Sequence, residues 1–340
     1  MNYYIKISSP NKAKDDIDEL ARQWGFANLA RFGFGRGGVG RFLTKLVAVG
    51  RILTTLRGSD VLFLQYPMKK FYHLATLLAH AKGAATVAVV HDLGAFRRHK
   101  LTPEHENRRL RATDFLIVHN AVMASYLREK GFKGGLHNLE IFDYLSPQPV
   151  PSRPLPEKTR VVYAGNLGLW RNAFLYQLDG VAVDWTLDLY GKGFDETRNT
   201  CPNLHYHGFI DSDDFVGNVD AAFGLVWDGG SVDECNGDWG EYLKINNPHK
   251  ASFYLRAGIP IIVWSRAAMS SFVSKWGVGI VVENLRNVGP TIADLSPEAY
   301  ARIRSRARHV GRLLAQGYFI HSGLEAAEEY LRQRDGSQTR

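Results

Sequence analysis

Residues 221–264 read A-A-F-G-L-V-W-D-G-G (221–230), S-V-D-E-C-N-G-D-W-G-E-Y-L (231–243) and K-I-N-N-P-H-K-A-S-F-Y-L-R-A-G-I-P-I-I-V-W (244–264). The runs 221–227 and 259–264 carry no acid or base, and short uninterrupted apolar runs of this kind suit strands buried on both faces of a parallel sheet. Between them the signals are helical. Asn247 is a good N-cap, Pro248 suits a first helical position that needs no amide donor, and Gly258 followed by Pro260 ends the helix. Strand, loop, helix and strand in succession make an α/β unit, whose loop after the first strand lies at the carboxyl edge where open α/β sheets take their ligands.

The start of that helix presents unpaired backbone N–H groups, and Lys244, His249 and Lys250 add side-chain donors within a few residues. A diphosphate leaving group needs several donors and one or two cations, which can take the place of a divalent metal in neutralising charge as a bond breaks. The same residues also suit a solvated surface, with Asn246 and Asn247 as turn formers.

The segments G-L-V-W-D-G (224–229), Y-L-K-I-N-N-P-H-K (242–250) and Y-L-R-A-G-I-P-I-I-V-W (254–264) together resemble one group of bacterial GT-B glycosyltransferases. That group contains β-1,6-galactofuranosyltransferases of surface polysaccharide assembly and glucosyltransferases that extend glycans on serine-rich adhesins. The resemblance spans most of the chain and implies two Rossmann-like domains facing across a cleft. It further implies a UDP-sugar donor in the second domain, with Lys244 and the helix start Pro248, His249 and Lys250 on the diphosphate and Asn246 and Asn247 beside it. Direct displacement at the anomeric carbon, with inversion and without a metal or other cofactor, would transfer galactofuranose, or else glucose, to a glycan acceptor in surface polysaccharide or glycoconjugate synthesis.

At 340 residues the length suits two domains. The proline-dense stretch S-P-Q-P-V-P-S-R-P-L-P (146–156) reads as a stiff connector, giving an N-terminal acceptor domain over 1–150 and a C-terminal donor domain with a terminal helix over 157–340. The resemblance implies that this last helix crosses back to the first domain. A net charge of +8 favours acidic partners: nucleotides, phosphorylated lipid carriers or an anionic membrane surface. Two cysteines, Cys201 and Cys235, make no metal or disulfide framework, and no run of 18 apolar residues or signal core appears. A cytoplasmic enzyme, acting at the inner face of a membrane if its acceptor is lipid-linked, is the expectation.

In the first half, strands are expected at 3–7, 26–32, 60–66, 86–90 and 114–118, with helices near 15–24, 39–56, 71–82 and 123–130. The first loop carries Ser8, Asn11 and Lys12, which are either cleft contacts or a capped turn. The strand 86–90 runs into H-D, placing His91 and Asp92 at the carboxyl edge. An inverting transfer needs a base for the acceptor hydroxyl, and Asp92 is the candidate; the resembled group has an H-D dipeptide here. Asp92 could equally cap the loop or pair with Arg97. Arg97 and Arg98 suit a carrier phosphate, His119 and Asn120 end the next strand, and Glu140 and Asp143 form a second pair of carboxylates.

Two features point elsewhere. Gly33, Gly35 and Gly38 match G-x-G-x-x-G, which would suit an NAD(P)-dependent oxidoreductase, but Asp60 begins its strand, whereas the ribose acid of that fingerprint ends one. The helix 39–56 carries Phe42, Leu46, Val49 and Leu53 on one side with Arg36, Arg41, Lys45, Arg51 and Arg57 around it. It either lies on anionic lipid or packs inward with a charged outer face. A nucleic-acid-binding protein is the other alternative, disfavoured because the basic residues are dispersed among α/β elements.

In the second half, G-N-L-G-L-W-R-N-A (165–173) follows the strand 159–164, and Asn166 and Arg171 suit a loop over phosphate or ribose. The strand 185–190 runs into G-K-G, and the resemblance makes Tyr190 and Gly191 donor contacts. His205 and His207 share one strand face, as metal ligands or as packing. D-S-D-D (211–214) reads as a helix start. The acidic segment 229–242 reads as a loop that orders on donor binding.

Overall fold

A computed structural model of the chain describes residues 1–6, 11–31, 33–35, 37–68, 71–97, 101–150 and 154–338. Ser8 and Arg98 lie outside the described residues, as do Arg36 and the centre of the proline-rich stretch, and of Arg97 only the backbone is described.

The chain divides into two compact units, Met1–Leu139 with Gly317–Arg340, and Glu140–Gln316. In the first, β1 (Asn2–Tyr4), β2 (Ala27–Asn28), β3 (Val61–Tyr66), β4 (Ala85–Val90), β5 (Phe115–Val118) and β6 (Gly135–Asn138) form one parallel sheet in the order β2-β1-β3-β4-β5-β6. In the second, β7 (Arg160–Asn166), β8 (Thr186–Lys192), β9 (Leu204–Tyr206), β10 (Phe223–Val226), β11 (Ile261–Trp264) and β12 (Gly279–Val282) form another, in the order β12-β11-β10-β7-β8-β9. Every strand pair is parallel because each connection is a crossover, mostly helical, that covers a sheet face. The central strands β4, β5, β10 and β11 are almost wholly buried, as their uninterrupted apolar sequences require.

The boundary differs from the one expected at the prolines. Residues before them already pack on the second unit: Arg256 donates to the carbonyls of Ser146 (2.9 Å) and Gln148, and Ser146 Oγ bonds Asp213 at 2.6 Å. The closing helix Tyr318–Gln338 belongs to the first unit, not to the C-terminal domain in which its sequence position lies. Tyr330 packs on Phe115 with ring centroids 5.5 Å apart, Arg334 pairs with Asp114 at 2.6 Å, and Trp24 donates to Glu328 at 3.0 Å.

The decisive helix runs His249–Arg256 and starts one residue later than expected, with Pro248 rather than Asn247 at the N-cap. Asn247 is diverted, its side-chain amide donating to the Glu140 carbonyl. Gly258, at φ +71°, ends the helix as expected. The acidic segment 229–242 is tied down rather than loose. Asn236 accepts from the Gly230 amide at 2.7 Å, Trp227 donates to the Ser231 carbonyl at 2.9 Å, and the helix Gly237–Tyr242 closes it.

Candidate functional site

The second sheet reverses its order between β7 and β10, which leaves a crevice outside their carboxyl ends. Four side chains meet there. Tyr163 comes from β7, Asp228 lies two residues past β10, Arg171 is on the short helix Leu169–Asn172, and Lys250 is the second residue of His249–Arg256. The Lys250 ammonium is 3.8 Å from Asp228 Oδ1 and 3.7 Å from the Tyr163 ring centroid. Arg171 reaches the same carboxylate oxygen at 3.2 Å and lies 3.9 Å over the Trp239 ring.

Burial pushes Lys250 down to about 8, and Asp228 works against that shift. Burial likewise raises the Tyr163 hydroxyl, which stays neutral and donates to the Trp227 carbonyl at 3.1 Å. Two cations therefore share one carboxylate, and the crevice carries surplus positive charge where water is scarce. The helix beginning at His249 adds its unpaired amides.

The other residues expected on the donor are placed as follows. Asn166 shapes the loop, its side-chain oxygen accepting from the Gly168 amide at 2.9 Å and its carbonyl from Asn172 at 2.6 Å. Asn246 Oδ1 is buried with no hydrogen-bond partner among the described residues, which fits an acceptor waiting for a ligand donor. Lys244 is drawn away: Glu241 holds its ammonium at 2.6 Å, and the Trp264 ring centroid lies 5.6 Å off. His249 packs among rings instead, 5.0 Å from Tyr144 and 6.3 Å from Phe142.

Tyr190 stacks on His207 at 4.9 Å, and His207 bonds Asp188 at 2.8 Å, so this histidine is structural. Gly191, at φ +152°, lies so close to the neighbouring strand that a Cβ would strike the Gly165 carbonyl oxygen. Its glycine is thus required by β7–β8 packing. Glu140, expected as a spare acid, has its carboxylate bound by Lys275 and by the Trp276 indole N–H (2.8 Å).

In the first unit, His91 and Asp92 follow β4 directly, as expected. His91 is buried, and its Nε2 is 2.6 Å from Gln65 Oε1, so this nitrogen carries the proton. The Gln65 amide then donates to Asp18 at 2.6 Å and to the Lys14 carbonyl at 3.1 Å. Burial raises Asp18 to about 7. It also lowers Lys14 to about 8, opposed by the charges of Asp92 and Asp18.

Behind them, Glu106 is buried and accepts from the amides of Gly94 (2.7 Å) and Ala95 (2.9 Å) and from the Tyr66 hydroxyl (2.7 Å). It pins the turn that carries Asp92. His119 Nε2 lies 3.1 Å from the His91 carbonyl, and Asn120 caps the helix Ala121–Glu129 by accepting from Met123. Asn11 is an exposed N-cap whose side chain makes no cap bond, and Lys12 pairs with Asp16 at 2.5 Å. A groove bordered by Phe115, Leu136 and Tyr330 lies at the amino ends of β5 and β6, the opposite edge of this sheet. Among the described residues, no cluster of three or more His, Cys, Asp or Glu is placed to hold a metal ion.

Residues 2–141 match the glucosyltransferase 3-like N-terminal domain, and residues 161–327 match the glucosyltransferase 3-like C-terminal domain. The chain belongs to the glucosyltransferase 3-like family. It is 29% identical over 327 residues to the β-1,6-galactofuranosyltransferase WbbI of Escherichia coli (strain K12), covering 95% of each chain. Against glucosyltransferase 3 of Streptococcus gordonii it is 23% identical over 324 residues, 90% of each. The crystal structure of Anabaena Alr3699/HepE in complex with UDP shares its fold, with a TM-score of 0.60 at 12% identity over 98% of this chain and 99% of that one.

A glucosyltransferase 3-like chain is a GT-B glycosyltransferase, which replaces the oxidoreductase and nucleic-acid readings. The structure accounts for the misleading features: Asp60 binds the terminal amine at 2.7 Å and the Arg57 amide at 2.8 Å, and the glycine run follows the two-residue edge strand β2. In this glucosyltransferase 3-like fold, sequence reasoning missed Asp228, Tyr163, Trp239, Asp18 and Gln65. One signal was present for Asp228, a carboxylate directly after a buried strand at the carboxyl edge.

Proposed function

We propose that the chain transfers a sugar from a UDP-sugar to a glycan acceptor with inversion and without a metal ion. The observation that carries this reading is the convergence of Lys250 and Arg171 on Asp228 at the sheet's switch point. A diphosphate entering there would take both cations, with the amides of the helix start and Asn246 as further partners. Asp92 would accept the acceptor hydroxyl proton as that oxygen attacks the anomeric carbon. The bond to the phosphate oxygen breaks, and its electron pair leaves on UDP, where Lys250 and Arg171 offset the growing charge.

Galactofuranose is the favoured sugar because the 29% identical relative is a galactofuranosyltransferase, and glucose is second. The acceptor is a glycan of surface polysaccharide or glycoconjugate synthesis, carried on lipid where the enzyme works at a membrane face. Among the described residues no helix is long and apolar enough to cross a membrane.

Calorimetric titration with UDP in the presence of EDTA tests the donor site. Wild type binds without metal, and Lys250→Ala weakens binding at least tenfold, about 1.4 kcal/mol. Failure of folded wild type to bind UDP overturns the donor assignment. Binding that EDTA abolishes removes the metal-free mechanism. With the site established, turnover of UDP-galactofuranose against UDP-glucose decides the sugar.

A further inference from the structure

Among the described residues Glu140 is the one non-glycine residue with a positive φ, +66°. A residue carrying a Cβ is disfavoured in that left-handed region, and it stays there only where the surrounding structure fixes it. Here its own side chain is the anchor. The carboxylate is held by the Lys275 ammonium and by the Trp276 indole N–H at 2.8 Å, both at the end of the helix Ser270–Trp276. Glu140 is also the first residue of the second unit, and it lies in neither strand nor helix.

What the conformation delivers is a carbonyl. The backbone dihedrals of a residue set where its own C=O points, and the Glu140 carbonyl accepts from the Asn247 side-chain amide. Asn247 is buried, at 3% exposure, and stands between two helical segments. The turn that follows the helix Gly237–Tyr242 runs on to Asn246, whose amide donates to the Tyr242 carbonyl at 3.0 Å, and Pro248 is already the N-cap of His249–Arg256. Asn247 alone separates the two. On one side of it is Asn246, whose buried Oδ1 has no hydrogen-bond partner among the described residues. Three residues on is Lys250, 3.8 Å from Asp228. A turn of the chain at Asn247 would therefore move an acceptor and a cation of the donor crevice together.

We propose that Glu140 is a positioning residue of the donor site: its anchored left-handed conformation seats Asn247, and so sets Asn246 and the start of His249–Arg256 against the diphosphate. The inference deepens the UDP-sugar reading and rests on it. All the groups it invokes belong to the second unit.

The test is calorimetric titration of the full chain with UDP, with thermal unfolding measured on the same samples. Glu140→Ala keeps a Cβ and loses the anchor, and it should weaken UDP binding about tenfold, about 1.4 kcal/mol. Glu140→Gly also loses the anchor but accepts a left-handed φ freely, so it should bind UDP at least about threefold more tightly than the alanine variant. Because Glu140 acts through Asn247, Glu140→Ala with Asn247→Ala should bind no more weakly than Asn247→Ala alone, whereas independent residues would multiply their losses. A residue that only turns the chain into the second unit would lower the unfolding temperature and leave the UDP affinity of the folded protein as it was. Should Glu140→Ala not fold, Lys275→Ala, at a largely exposed side chain, takes its place with the same coupling to Asn247→Ala expected. Unchanged UDP binding by the alanine variant, equal weakness of the alanine and glycine variants, or multiplied losses in the double variant overturns the inference while the donor site stands. Failure of wild type to bind UDP overturns the donor reading, and this inference with it.

Discussion

The two units present the same edge of the same kind of sheet, and they fill it with opposite chemistry. Beyond β7 and β10, two cations are pressed against a single carboxylate and aromatic faces. At the carboxyl ends of β3 and β4, buried Asp18 and His91 are joined through half-buried Gln65 in one hydrogen-bonded line, with Asp92 next to it in sequence and Lys14 as the neighbouring cation. The first arrangement is suited to receiving negative charge that arrives with a ligand. The second is suited to holding protons in defined places. Under the proposed mechanism, a repeated scaffold would separate leaving-group stabilisation from proton transfer by what each strand end carries.

The largest test of this contrast is Asp92→Asn. The substitution keeps the shape of the side chain and removes its basicity, so kcat should fall by about 10²- to 10⁴-fold. UDP affinity should stay at the wild-type value, because the diphosphate is assigned to the other unit. A parallel loss of UDP affinity, or full activity, would erase the division of labour.

A smaller effect concerns protonation of the cation site. With Lys250 lowered to about 8, UDP affinity should hold below that pH and decline as pH rises through it, by up to about tenfold per unit beyond. In Lys250→Met that slope should vanish, leaving weaker binding with little pH dependence between 7 and 9.5. A wild-type profile flat to pH 10 would show that Lys250 is not the group that meets the phosphate.

The smallest expected change is in stability. Asp18 titrates near 3.8 in its ordinary state and at about 7 when folded. Between those values the folded chain keeps a proton that the unfolded chain has lost. Stability therefore falls as pH rises from 4 to 7, and the loss persists above 7. Asp18→Asn should remove this penalty and raise stability at pH 8 by about 1 kcal/mol or more, the scale of one pKa unit. Thermal unfolding at pH 5 and 8 checks it. Equal destabilisation of the variant at both values would mean that Asp18 serves as a charged partner of Gln65 and not as a buried acid.

Much of the scaffold was legible because its signals are local. The apolar runs at 60–66, 86–90, 221–227 and 259–264 became strands with ends shifted by at most two residues. Gly258 stopped its helix because its φ of +71° suits a residue without a Cβ. The places of Lys250 and Asp92 were also readable locally, one at a helix start and the other after a buried strand. The partners that define their chemistry were not. Asp228 is 22 residues from Lys250, Tyr163 is 87 away, and Gln65 is 47 residues from Asp18.

The sequence by itself determined alternating strands and helices, hence parallel sheets, together with the family motifs and the positions of Asp92 and Lys250 at strand and helix ends. Only the tertiary structure decided that β7 lies beside β10, that Lys244 turns to Glu241 and Asn247 to the Glu140 carbonyl, and that Leu43, Leu46 and Leu53 face outward. The physical reason is range. Backbone preference and hydrophobic period act over a few residues and can be read in order, whereas strand adjacency and side-chain burial follow from packing surfaces that are remote in sequence.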